Sequence, residues 1–208
     1  MSMSPTMNPS MNLGRVLAPL HLLAFSALLG TQLYQTFIVV KVTFSALPRS
    51  AFTTLQKRLF PIYFRTQSLL LFMAAMTVPA RGPLTLSANK AVWVPFTVAG
   101  VTAALNLMVY GPRTRQLMTD RIHQRTRDAL KQQEESMDDG EAGPQAAAAA
   151  VVISPEMQQL HRSFARMHAI SIHLNLLTVG ATLWWGWTLA SHLNRELGVG
   201  GVQGSVVG

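Results

Sequence analysis

Four long apolar stretches, roughly residues 16–40, 62–80, 91–112 and 167–194, alternate with segments that hold nearly all of the charge. About 20 residues of helix cross a bilayer core of about 30 Å, so each stretch is long enough to span one. The second is the shortest, bounded by Arg65 and Arg81; it spans if its helix starts near Pro61 and Arg65 snorkels to the lipid surface. The pattern predicts an all-α membrane protein. Residues 15–195 form a four-transmembrane-helix bundle, flanked by disordered tails at 1–14 and 196–208.

The connections have patterns of their own. After Pro48, Phe52, Leu55 and Leu59 recur at helical spacing with basic residues between them, which predicts a short interfacial helix before the second span. Pro79, Gly82 and Pro83 predict a tight turn between the second and third spans. Gly111 and Pro112 interrupt the third span, and a helical extension resumes beyond them within a polar insert, 113–166. Residues 136–153, first acidic and then alanine-rich, predict a flexible linker inside that insert. Ser154 followed by Pro155 predicts an N-cap and a first helical position, starting a helix that runs into the fourth span.

Charge orients the bundle. Most of the 17 basic residues lie in the first and third connections; only Arg15, Arg81, Lys90 and Arg195 lie elsewhere, against 9 acidic residues in all. The positive-inside rule places those two connections in the cytosol and both termini outside it. Tryptophan supports an even number of spans: Trp93, Trp184, Trp185 and Trp187 all fall at the non-cytosolic boundary, while Tyr34, Tyr63 and Tyr110 fall toward the other. The basic excess beside the spans fits anionic lipid headgroups, with Lys57, Arg58, Arg65, Arg113 and Arg115 as the candidate contacts, and not nucleic acid. The chain has no cysteine, so no disulfide and no thiol-linked lipid anchor forms.

The uncharged polar residues inside the spans carry the remaining signal. No Asp or Glu lies in any span, which removes the usual acid–base and proton-relay groups. Gln32, Gln35, Gln67, Asn106 and Asn175 fall in the cytosolic half of the bilayer. His168, Ser171, Asn175, Thr178 and Thr182 step by three and four along one helical face, and His21 shares a face with Gln32 and Gln35. Unsatisfied amides cost several kcal/mol in hydrocarbon, so these faces look inward. Two readings stay open: interhelical bonds that glue the bundle, or a solute or headgroup pocket opening to the cytosol with Arg65 at its mouth. His168 and His173 cannot share a helical face, so neither a metal site nor a cofactor is expected. Four methionines at the N-terminus, Met1, Met3, Met7 and Met11, read as part of a disordered tail.

Particular residues also resemble a known family. Leu47, Pro48, Arg49, Phe52, Gln56, Leu59, Phe60, Pro61, Tyr63 and Phe64 resemble the "LPR..F...Q..LFP.YF" block of the transmembrane protein 205 family. His21, Ser26, Gly30, Gln32 and Thr36 resemble its first span, Pro112, Thr114 and Met118 its "P.T..M" turn, and Phe164, His168, Ser171, Asn175 and Leu176 the start of its last span. The resemblance covers about residues 17–190 and implies a four-span protein of the endomembrane system or plasma membrane without an assigned activity. The acidic, alanine-rich linker and the Gly-Val tail depart from that family's pattern.

Residues and resemblance together predict a non-enzymatic membrane scaffold or trafficking-type protein with a basic cytosolic face. The alternative is a small-solute or drug-type transporter or exporter subunit built on the intramembrane amides. A homo-oligomer suits that alternative, since four spans enclose little room.

Overall fold

A computed structural model of the chain describes residues 9–79, 90–138 and 154–199, which are helical apart from short connections. The helices are α1 (Pro9–Leu33), α2 (Val40–Ala46), α3 (Arg49–Met76), α4 (Lys90–Leu105), α5 (Gly111–Asp138) and α6 (Pro155–Val199). Two π-helical segments, Tyr34–Val39 and Asn106–Tyr110, join α1 to α2 and α4 to α5 without a break. Three of the resulting helices, Val16–Ala46, Arg49–Met76 and Lys90–Glu134, are long and apolar enough to cross a membrane among the described residues. The 167–194 stretch lies within α6, where His168, His173 and Asn175 dilute its apolar character.

Several expected boundaries move, each for a physical reason. The interfacial helix and the second span are one helix, because Pro61 sits in the interior of α3 instead of opening a new one. The true break falls at Leu47–Pro48. A residue before proline is pushed out of the helical region, and Leu47 is extended at φ −111°, ψ 143°, with Pro48 capping α3. Gly111 and Pro112 likewise do not stop the chain's third helix. Proline clashes with the carbonyl four residues back, and the π segment Asn106–Tyr110 just before it adds a residue that accommodates the ring. Helix α1 begins at Pro9, so residues 9–14 are not an irregular tail. The rest of that tail, the Pro79–Pro83 turn beyond Pro79, the linker from 139 onward and the tail from 200 lie outside the described residues.

The chain divides into two compact units. The first joins the residues up to Leu107 with those from Leu174 onward; the second is Met108–His173. In the first, α3 packs against α1 and α4. The α1 face that points inward is His21, Ala24, Phe25, Leu28 and Gln32, continued by Gln35 of the π segment, one stripe on a 3.6-residue period. Leu28, Leu71, Ala74, Phe96, Ala99 and Trp185 join it in the core. The outward faces are apolar too: Leu23, Phe72 and Trp187 are 68%, 62% and 78% exposed. An apolar exterior around a core that holds amides is the arrangement a lipid surrounding requires.

Close helix approach occurs at Gly186, where an added Cβ would lie 2.7 Å from Phe25 Cζ. At Gly30 and Gly100 an added Cβ would meet nothing within 4 Å.

In the second unit, α5 and the N-terminal part of α6 form an antiparallel hairpin. Ser154 caps α6 as its sequence position predicts: its Oγ accepts the Met157 N–H at 3.2 Å, with Pro155 at the first helical position. The same hydroxyl donates to Asp128 Oδ2 at 2.8 Å and ties the start of α6 to α5.

Candidate functional site

The polar residues of the first unit form tiers along its helices. Deepest into the core from the Leu47–Pro48 corner is His21. The last carbonyls of a helix lack partners within it, and His21 Nδ1–H donates to one of those in α3, Ala74 O, at 2.9 Å. Its Nε2 then accepts the Trp185 indole N–H at 2.9 Å, so a neutral imidazole is satisfied on both nitrogens and joins α1, α3 and α6. Phe25 and Phe96 flank the ring. Trp185 is therefore a core residue rather than part of an interfacial belt; Trp93, Trp184 and Trp187 do point outward.

Nearer the corner, Asn175 bridges two helices. Its Oδ1 accepts the Tyr63 hydroxyl at 2.8 Å and its Nδ2 donates to Thr36 Oγ1 at 2.9 Å, linking α6, α3 and the first π segment. Tyr63, expected among the interfacial aromatics, is instead buried. A second bond, Thr102 to Thr178 at 2.8 Å, joins α4 and α6 one turn from Asn175.

Gln32 and Gln67 share the level of that threonine pair. Gln32 lies four residues before Thr36 and Gln67 four after Tyr63, and α1 and α3 run antiparallel, so both amides sit one turn deeper than the Asn175 bridge. Both are fully buried. Gln32 Oε1 and Nε2 and Gln67 Nε2 have no hydrogen-bond partner. Gln35 and Asn106 are buried as well, and each belongs to a π segment. In the first of these, the Val40 N–H reaches back five residues to Gln35 O. Such widened turns recur at functional positions in helices.

The expected site residues thus separate into groups. Gln32, Gln35, Gln67, Asn106 and Asn175 belong to the first unit; His168 and Ser171 belong to the second, where His168 stacks on Phe164 at 5.3 Å. The motif loop is a structural corner: Phe44 meets Phe52 edge-on at 5.3 Å and Gln56 Nε2 donates to Thr43 Oγ1 at 3.2 Å, with Leu47, Pro48 and Arg49 at the bend. Phe60 stacks on Phe64 within α3, close to Pro61. Arg58, Arg65, Arg113 and Arg115 are exposed and Lys57 half-buried. Thr36, Thr102 and Trp185 were not singled out as site residues by sequence reasoning. Thr36 lies one turn from Gln32, and Trp185 one turn from Thr182 at the end of the polar face of α6; that spacing was the available signal.

Three helices able to cross a bilayer, an apolar exterior and amides turned inward define a multi-pass helical membrane protein. Residues 23–123 match a domain of unknown function, DUF4149. The chain is 36% identical over 183 residues to the Xanthocillin biosynthesis cluster protein D of Aspergillus fumigatus, a match covering 87% of this chain and 94% of the relative. The chain belongs to the family of that protein. No solved structure matches it.

Proposed function

We propose that the chain is a four-span membrane protein that holds a small uncharged hydrogen-bonding solute at the Gln32–Gln67 level, as a transporter or exporter subunit and not as an enzyme. The observation that carries this reading is Gln32: a fully buried amide that bonds to nothing in its own chain. Interhelical glue needs a partner, and the residues that have one, His21, Asn175 and Thr178, already join the helices. Among the described residues no carboxylate lies at that level, and Arg65, two residues before Gln67, is exposed on the opposite side of α3, so the ligand that fits is neutral, carrying both a donor and an acceptor. The relative's name places it in a biosynthesis cluster, which accords with a membrane protein that handles a small molecule.

Within this proposal the fourth span is the 167–194 part of α6, both termini face away from the cytosol, and the corner block keeps its likeness to the transmembrane protein 205 family. A homo-oligomer gives the solute its path. The membrane is of the endomembrane system or the cell surface.

The test is Gln32→Leu in reconstituted liposomes, with flux of glycerol, urea and acetamide as probes. The proposal expects unchanged or raised thermal stability with flux lost. A lowered Tm with flux intact would assign Gln32 to the bundle's glue and overturn it. Wild-type liposomes that pass none of the three probes also count against it.

A second reading rests on the exposed Arg113 and Arg115 at the start of α5. A basic surface there engages anionic headgroups in a scaffold or trafficking role. Neutralising both should weaken binding to anionic vesicles.

A further inference from the structure

The α5–α6 hairpin of the second unit brings Arg121, Arg125 and His161 close together. The Arg121 guanidinium lies over the Phe164 ring, 4.6 Å from its centroid, and Ser154 bonds Asp128 about two turns further along α5. These two contacts fix the antiparallel register. Stepping back from Phe164 to His161 on α6 matches stepping forward by about a turn from Arg121 to Arg125 on α5, so His161 faces the two arginines.

The donors at this place are open. Arg121 Nε and His161 Nε2 are shielded from solvent and have no hydrogen-bond partner. Asp128, one turn from Arg125 on α5, is engaged by Gln124 Nε2 at 2.9 Å and by Ser154. Neither arginine is ion-paired with an acid among the described residues. Arg121 and Arg125 are four residues apart on one helix, a like-charge spacing that destabilises a helix unless an anion lies between them. Contact with Phe164, itself stacked on His168, holds the Arg121 guanidinium in place, and its Nε–H has no partner there.

From this arrangement we infer an anion site on the α5–α6 hairpin, formed by Arg121, Arg125 and His161, that binds a phosphate group. Two guanidinium forks and an imidazole N–H converge from two helices, which suits a tetrahedral group with several acceptor oxygens better than a planar carboxylate. The phosphate comes either from a soluble ion or from a lipid headgroup. Burial, and the positive charge of Arg121 and Arg125, lower the His161 pKa from its ordinary 6.5. A bound anion reverses the electrostatic part of that effect, so His161 reports occupancy.

The experiment follows the titration of His161 by NMR of its ring protons in the full chain, the signal assigned with His161→Gln. Detergent-solubilised protein is titrated in chloride and in inorganic phosphate at equal ionic strength. Protein in phosphatidylcholine nanodiscs, with and without phosphatidic acid, forms the second arm. Inorganic phosphate should raise the His161 midpoint by roughly half a unit or more. If the midpoint responds to phosphatidic acid and not to the free ion, the source is the headgroup. Arg125→Gln removes an exposed side chain and spares the Phe164 stack, so it keeps the hairpin while abolishing the shift; Arg121→Lys should retain part of it. A midpoint that is the same in chloride, phosphate and both nanodiscs overturns the assignment.

Discussion

Asn175 has two partners on two other helices, and that makes its loss more costly than the loss of either. Asn175→Leu strands the Tyr63 hydroxyl and the Thr36 hydroxyl together, whereas Tyr63→Phe removes one bond and leaves Asn175 Nδ2 on Thr36. Bonds of this kind in membrane helices are worth about 0.6 to 2 kcal/mol, so Asn175→Leu should lower thermal stability about twice as far as Tyr63→Phe, read as Tm in detergent. Trp185→Phe removes the N–H that His21 Nε2 accepts together with part of a core ring system, and leaving the buried acceptor open alone costs about 1 to 3 kcal/mol, read as a lowered Tm. Asn175 was legible in the sequence because an amide inside an apolar stretch must find company. Its partners were not, since Thr36 and Tyr63 look respectively like a helix-tolerated hydroxyl and an interfacial ring until three dimensions bring them together.

At the scale of the helix, the sequence marks where the chain can bend and packing decides whether it does. Besides Pro9 and Pro155, which open their helices, proline appears at 19, 48, 61, 95 and 112 among the described helices and their caps, yet only Pro48 breaks a helix, because Leu47 before it is free to become extended. Pro61 and Pro112 lie in helices held on both sides by contacts or by an absorbing π turn, which no spacing rule reveals. Ser154–Pro155 was readable in full, as a cap is local chemistry. Helix contact was not: the glycine that matters is Gly186, facing Phe25, and Gly186→Ala should cost about 1 to 3 kcal/mol by overpacking, while Gly100→Ala should be neutral or slightly stabilising. Paired Tm measurements on these two variants separate packing from propensity. The α5–α6 hairpin adds a pH dependence of defined sign. The folded His161 has a lowered pKa, so above its ordinary 6.5 both folded and unfolded imidazoles are neutral and stability is level. Below 6.5 the unfolded chain takes up a proton that the folded one resists, and stability falls. In chloride buffer, melts from pH 7.5 down to 5 should show this decline, with a smaller slope in His161→Gln.

For the whole molecule, the apolar stretches announced a membrane protein, and three of them stand as helices able to cross a bilayer. The fourth is harder to see by hydropathy for the reason it is interesting: the face that carries His168, Ser171, Asn175 and Thr178 subtracts from its apolar sum. On the proposed four-span topology, cysteine introduced at Ser191, in a chain that has none of its own, should react with a membrane-impermeant thiol reagent from the non-cytosolic side, while one introduced at Arg127 should be protected there. Labelling of both from one side would place α6 differently. The union of His21 with Ala74 and Trp185 also has a bearing on biogenesis. His21 and Ala74 are 53 residues apart in the chain, His21 and Trp185 164. The ribosome adds roughly 5–20 residues per second, so on the order of ten seconds separate the synthesis of the first partner from that of the second. Throughout that interval the growing chain carries an imidazole nitrogen whose partner in the finished fold has yet to be made, and a product truncated before α6 never acquires it.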